Sequence, residues 1–240
     1  MESMNRTFLR HGCTVLLATL LGGLVPAASR AAETEVYLSW GSPHGTPGAR
    51  DTLVRACGDS MRVDTLYLSF VPGEDLQLIA TTNEVEFAPI NGDTLLGYWS
   101  FRNDPRGGPG TCRGEFLTSA TAGCPFPWPE GPNGAGAAFY RRGGKGVVRL
   151  GYAVSAATPS AASAGTHYCL ARILIRHHAK GSPGCDQPLR VTWTSPVFHL
   201  SGGQDLRVPS GSGHPVYLRT REPGAATEPM RRRAGPRRRG

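Results

Sequence analysis

Apolar and polar positions alternate with a period of two over much of this chain, the spacing of half-buried strands. The clearest case is Thr166–His177, with Cys169, Ala171, Ile173 and Ile175 on one side and Arg172 and Arg176 on the other. Arg62–Phe70 alternates too, with Leu66, Leu68 and Phe70 opposed to Val63, Thr65, Tyr67 and Ser69. Further strands are predicted over Glu35–Trp40, Leu76–Phe87, Leu95–Phe101, Gly146–Val154, Leu189–Thr194 and Val197–Leu200. No window holds the i, i+3, i+4, i+7 pattern of an amphipathic helix for three turns. Turn residues punctuate these segments throughout: 32 Gly and 20 Pro make up more than a fifth of the 240 residues. About eight or nine short strands at this spacing predict an all-β, two-sheet antiparallel β-sandwich.

The two ends break the pattern. Arg6 and Arg10 precede an apolar run, Val15–Val25, which Pro26 closes before the small residues Ala27 to Ala32. That run is shorter than the roughly 20 residues of a membrane span, and its flanks are those of a cleaved export signal. We therefore expect a signal peptide over 1–31, a sandwich domain over 33–210 and a basic disordered tail over 211–240. Cys13 precedes the apolar run rather than following it, so a lipid-anchor cysteine is not expected. The expected location is secreted, periplasmic or cell-surface, with no transmembrane span in the mature chain.

Charge sharpens this division. The chain carries a formal +8, but residues 1–32 contribute +2 and 219–240 contribute +6. The segment 33–218 holds 15 basic and 15 acidic residues and is neutral. A nucleic-acid-binding domain needs a basic folded part, so none is expected here. The arginine-rich tail suits anionic cell-surface polymers; a solvated extension without function is the simpler account.

Five cysteines follow the signal: Cys57, Cys112, Cys124, Cys169 and Cys185. Export makes disulfides the default. Cys112 and Cys124 bracket a Gly/Pro-bearing loop and Cys169 and Cys185 an apparent hairpin, so local Cys112–Cys124 and Cys169–Cys185 bridges are expected, leaving Cys57 odd. Re-pairing among the five stays open. No Cys-x-x-Cys spacing points to a zinc ribbon or a redox site. The first bridge would tie the long insert 103–146, rich in Gly, Pro and aromatics.

The order of pieces from Gly146 to Leu200 resembles the second half of a cohesin-like domain. The resemblance rests on a strand ending Gly151-Tyr152-Ala153-Val154, a loop to Ala164-Gly165-Thr166, the strand Tyr168–Arg176, then Leu189–Thr194 and Ser195–Leu200. Cohesin-like and carbohydrate-binding-module-like folds are jelly-roll sandwiches of secreted and surface proteins. The resemblance implies the fold and carries over no site residue; the cysteines and the long insert depart from the family pattern.

Chemistry is sparse. His177 and His178 are adjacent and so point to opposite faces of a strand, while His167 lies at the far end of the same segment; no metal site is expected. Gly143-Gly144-Lys145-Gly146 lacks the phosphate-loop spacing, and no nucleophile elbow occurs. Glu84 and Glu86 share a strand face as a glycosidase pair would, but two acids on a solvated face are the ordinary explanation. Trp128 and Phe126 in Phe126-Pro127-Trp128-Pro129, with Tyr98, are the candidates for a sugar-stacking platform; Trp99 and Trp193 are expected in the core. These observations favour a non-catalytic interaction or structural domain without a cofactor, whose partner is a secreted or cell-surface protein or polysaccharide. A carbohydrate-binding module and a secreted hydrolase are the alternatives.

Overall fold

The computed structural model describes residues 33–55, 63–99, 112–116, 124–128, 134–176, 184–210 and 212–220; for 112–116 it describes the backbone only. The expected signal, the residues beyond 220, Cys57 and the His177-His178 pair therefore lie outside the described residues. No described helix is long and apolar enough to cross a membrane.

The described residues form thirteen strands: β1 (Glu35–Trp40), β2 (Thr52–Arg55), β3 (Val63–Val71), β4 (Leu76–Pro89), β5 (Cys112–Phe116), β6 (Gly134–Arg142), β7 (Lys145–Ala153), β8 (Ser160–Ala162), β9 (Tyr168–Arg176), β10 (Leu189–Trp193), β11 (Val197–Leu200), β12 (Asp205–Arg207) and β13 (Val216–Thr220). They build two sheets. The smaller has four strands in the order β1-β3-β9-β5. The larger has nine: β12-β11-β4-β10-β13-β2 in a row, with β7 and β8 also on β4, and β6 on β7. Every ladder is antiparallel except β2 with β13, which is parallel. The expected all-β, two-sheet sandwich is what forms.

The alternation read from the sequence decides which side chains turn inward. Val36, Leu38 and Trp40 of β1, Leu66, Leu68 and Phe70 of β3, and Ala171, Ile173 and Ile175 of β9 are buried. They meet Val85 and Phe87 of β4, Val148 and Leu150 of β7, Val191 and Trp193 of β10, and Val216 and Leu218 of β13 in one continuous core. Each such side chain contributes roughly 1.5–3 kcal/mol on leaving water. β4 organises the larger sheet because it is 14 residues long. One edge carries β8 and β7 in succession, the other β11 and β10. A register shift between His199 and Leu200 accommodates the β4–β11 pairing.

Three expectations are corrected. The described part of the strand expected over Leu95–Phe101, residues 95–99, is not a strand: Gly97–Trp99 is a 3-10 turn. It is pinned from outside, because the Leu95 N–H donates to the Gly144 carbonyl at 2.6 Å and the Gln187 side chain bonds both Leu96 N–H and Thr94 C=O. The sandwich also runs past residue 210, because β13 inserts between β10 and β2. Finally, the insert is no long structureless loop, since β5 joins the smaller sheet and β6 the larger. The β6–β7 hairpin turns on Gly143 and Gly144 alone, with φ of 56° and 78°. Positive φ at both central residues is what a two-residue hairpin of right-handed twist requires. A Cβ on Gly144 would also strike the Asp93 carbonyl. The glycines that superficially suit a phosphate loop are thus consumed by a turn.

Candidate functional site

The aromatic platform expected from sequence is internal. Trp128 is 1 %, Phe126 7 % and Tyr98 3 % exposed. Trp128 lies over Tyr152 of β7 with ring centroids 4.5 Å apart, and Phe126 meets both rings edge-on. The segment is tied down by Cys169 N–H donating to the Pro125 carbonyl at 2.9 Å and by the Ser160 hydroxyl on the Pro127 carbonyl. The physical reason for the correction is that these rings pack into the core cluster against Tyr152. Pro125 and Pro127 flank Phe126 in the backbone that delivers the rings. Burial pushes the Tyr152 phenol up to about 12. Trp99 and Trp193 are in the core as expected.

The disulfide is also corrected. Cys124 is bonded to Cys169, with Cα atoms 5.4 Å apart, so neither expected local bridge forms. β9 carries Cys169 to the place where the Cys124–Trp128 segment docks, a proximity created by tertiary packing and not by sequence spacing. Cys185 is held in a disulfide as well.

At the opposite end of β1, Arg55 donates to Asp64 at 2.8 Å with both side chains buried. The guanidinium lies 5.3 Å from the Trp99 ring centroid and 5.9 Å from that of Tyr98. Tyr98 is thus a cover for a buried ion pair. Beside it a cleft of about 170 Å³ is lined by Trp40, Arg50, Leu53, Val63, Asp64 and Thr65, among others. Small-molecule sites span roughly 300–1,000 Å³, so this cleft is below that class.

A ring cluster that the sequence does not signal sits beside β1. His44 stacks on Tyr37 with centroids 4.0 Å apart, and His167 meets both edge-on at 6.0 and 6.3 Å. The Tyr37 hydroxyl bonds Glu35, and burial, then Glu35, push that phenol up to about 12. Burial, with His44 adding to it, lowers the His167 imidazole from its ordinary value. Native His167 thus resists a proton that the unfolded chain accepts near pH 6.5. Stability from this group is complete above that pH and falls as the pH drops toward the lower native value. His167→Phe is expected to flatten the loss of thermal stability between about pH 7 and 5. Melting curves across that window check it, and an unchanged slope would refute it.

The outer face of the larger sheet holds the polar chemistry. Glu84 of β4 accepts from the Tyr140 hydroxyl at 2.6 Å and pairs with Arg142 at 3.3 Å, while Glu86 pairs with Lys145 at 2.8 Å. The two acids do share a face, as expected, and both are spent in ion pairs. Further along, the Thr82 hydroxyl lies 3.2 Å from His199 Nε2, and His199 Nδ1 lies 2.7 Å from Asp205, which Arg207 also holds at 3.0 Å. The hydrogen bond with His199, aided by Arg207, lowers the Asp205 carboxyl from its ordinary range. The order hydroxyl–imidazole–carboxylate is that of an activated nucleophile. Thr82, however, faces Gly151 of β7 and Val197 of β11 in mid-sheet. A hydrogen-bonded ladder therefore runs along each side of it. Among the described residues no group of three or more His, Cys, Asp or Glu side chains is placed to hold a metal ion.

No family model and no curated protein matches the chain. Among solved structures, a cohesin in a cohesin–dockerin complex from Clostridium thermocellum is similar with a TM-score of 0.39 and 6 % identity, over 79 % of this chain and 96 % of that one. A type II cohesin domain from the cellulosome of Acetivibrio cellulolyticus has a TM-score of 0.38 and 9 % identity, over 78 % and 95 %. The cohesin module of a Clostridium perfringens family 33 glycoside hydrolase has 0.35 and 9 %, over 78 % and 99 %. At these scores the likeness adds nothing to what the two hydrogen-bonded sheets establish. Cohesin modules, the resemblance read from Gly146–Leu200, are nonetheless among the solved structures that the chain matches at low identity.

Proposed function

We propose that this chain is an exported, non-catalytic interaction domain that meets its partner on the outer face of the larger sheet. The observation that supports this reading most is the filling of the interior. Trp40, Trp99, Trp128 and Trp193 are all fully buried, and the cleft beside Trp40 is too small for a typical substrate. Among the described residues the polar side chains gather on the outer face of the larger sheet, and an extended polar face suits a macromolecule better than a small substrate. Export rests on the leader read from the sequence. Stacking of sugar rings on Trp128, Phe126 and Tyr98 does not form part of the proposal, because all three are internal.

The test is a pull-down with the full mature chain against secreted proteins and a polysaccharide panel, alongside hydrolase assays on the same polysaccharides. Stable capture without turnover is expected. Turnover that disappears in Glu84→Gln or Glu86→Gln would replace this reading with the hydrolase alternative.

A further inference from the structure

Six cationic side chains stand on the outer face of the larger sheet by strand register: Arg142, Lys145, Arg149, Arg190, Arg207 and Arg219. Three are neutralised locally, Arg142 by Glu84, Lys145 by Glu86 and Arg207 by Asp205. Arg149, Arg190 and Arg219 are exposed and have no carboxylate within ion-pair distance among the described residues. The carboxylates on the strands of this face, Glu84 (across from Arg149), Glu86 and Asp205, are taken by the other three cations, so the face keeps a positive surplus although residues 33–218 are neutral in sum. Charge on the folded part is therefore segregated, which its neutral total conceals.

The three arginines are too far apart to share one small anion. Arg190 faces Tyr217, two residues before Arg219 on the neighbouring strand, which sets those Cα atoms about 8 Å apart. Arg149 is two strands and four residues from Arg190, about 16 Å away by strand spacing. Such a row suits a ligand that repeats its charge at intervals. Arg219 is also where β13 hands over to the chain end, and residues 221–240 add seven more arginines against two glutamates. The basic segment thus begins on the sheet that carries the unpaired arginines.

Resting on the interaction reading above, we propose that this face binds a linear anionic polysaccharide, its carboxylate or sulfate groups held by Arg149, Arg190 and Arg219. Arginine presents a planar fork of donors that fits either oxyanion. A folded acidic protein fits less well, since tight protein interfaces centre on an apolar or aromatic anchor in a pocket. Here Val147, Ala88 and Val197 are buried flush with the sheet, and the exposed apolar member, Val54 across from Arg219, stands on the edge strand β2 rather than at the centre of the face. Recognition of this kind is electrostatic and multivalent, and uses no ring stacking.

The experiment measures binding of the full mature chain to immobilised polygalacturonate and heparin, with neutral dextran and duplex DNA as comparisons. Wild type is expected to bind both anionic glycans and to be released as ionic strength rises past about 0.1 M, where screening reaches about 10 Å. The triple variant Arg149→Gln/Arg190→Gln/Arg219→Gln is expected to bind about tenfold more weakly or worse, with an unchanged melting temperature. Arg231→Gln/Arg232→Gln/Arg233→Gln, which removes equal charge from the tail, is expected to lose less. Equal binding by the face variant and wild type overturns the proposal, as do binding to dextran, tighter binding to DNA, or no binding to either glycan at low salt. A secreted protein captured equally by wild type and the face variant would likewise overturn it, while leaving the interaction reading in place.

Discussion

Trp128→Ala is expected to destabilise the domain by about 3–5 kcal/mol, the range for deleting a fully buried aromatic ring. The side chain is 1 % exposed and packs on Tyr152 and Phe126, which belong to the same core cluster. Its indole N–H has no hydrogen-bond partner among the described residues, so the loss is one of packing alone. Nothing polar is stranded by the change, and the cavity term decides where in that range the value falls. Trp128→Phe should recover more than half of the loss, because a smaller ring still covers Tyr152. Denaturant titration of the three proteins measures this directly. A Trp128→Ala protein as stable as wild type, but weakened in sugar binding, would restore the exposed platform that the burial rules out.

Breaking the Cys124–Cys169 bridge by Cys124→Ser/Cys169→Ser is expected to cost about 4 kcal/mol in the chain-entropy account. The bond closes a loop of 45 residues, from the insert across the β6–β7 hairpin to β9. Freed, that loop gives the unfolded chain conformations that the oxidised protein never samples. The effect should therefore appear mainly as a lower denaturant midpoint, with little change in native far-ultraviolet circular dichroism. A loss below about 1 kcal/mol would mean that the denatured chain is already compact around this loop.

These two sites also mark where the sequence stops being informative. Strands such as Tyr168–Arg176 are legible because one face meets the core and the other meets a different environment, and a period of two records that contrast. Gly97–Trp99 defeats the same reading. Leu95, Leu96, Tyr98 and Trp99 form an apolar run that fits a strand or a packed turn alike, and the deciding bonds come from Gln187 and Gly144, distant in sequence. Val216–Thr220 is short and abuts the arginine-rich end, so its alternation is lost beside the charge. Gly134–Arg142 opens with glycine and alanine and reads as a loop until its hairpin partner is known.

The candidate site is less legible than the fold. Disulfide partners depend on which strands pack together, and proximity along the chain misdirects the assignment. Trp128 sits between prolines in a segment that looks like surface, and only the docking of Pro125 and Pro127 carbonyls onto Cys169 and Ser160 turns it inward. Net charge misled in the opposite way: the neutral sum over 33–218 hides an uneven distribution that only strand register reveals. Glu84 and Glu86 were placed on one face by their spacing, whereas their cationic partners come from β6 and β7.

The parallel pairing of β2 with β13 ties the beginning of the sandwich to its end. Thr52–Arg55 leaves the ribosome early, yet its ladder partner is the last strand among the described residues. Synthesis therefore reaches Thr220 before the nine-stranded sheet can be completed, whatever the earlier strands have done. A chain built in this order carries its own delay: the edges of β10 and β2 stay open until Val216–Thr220 has been made.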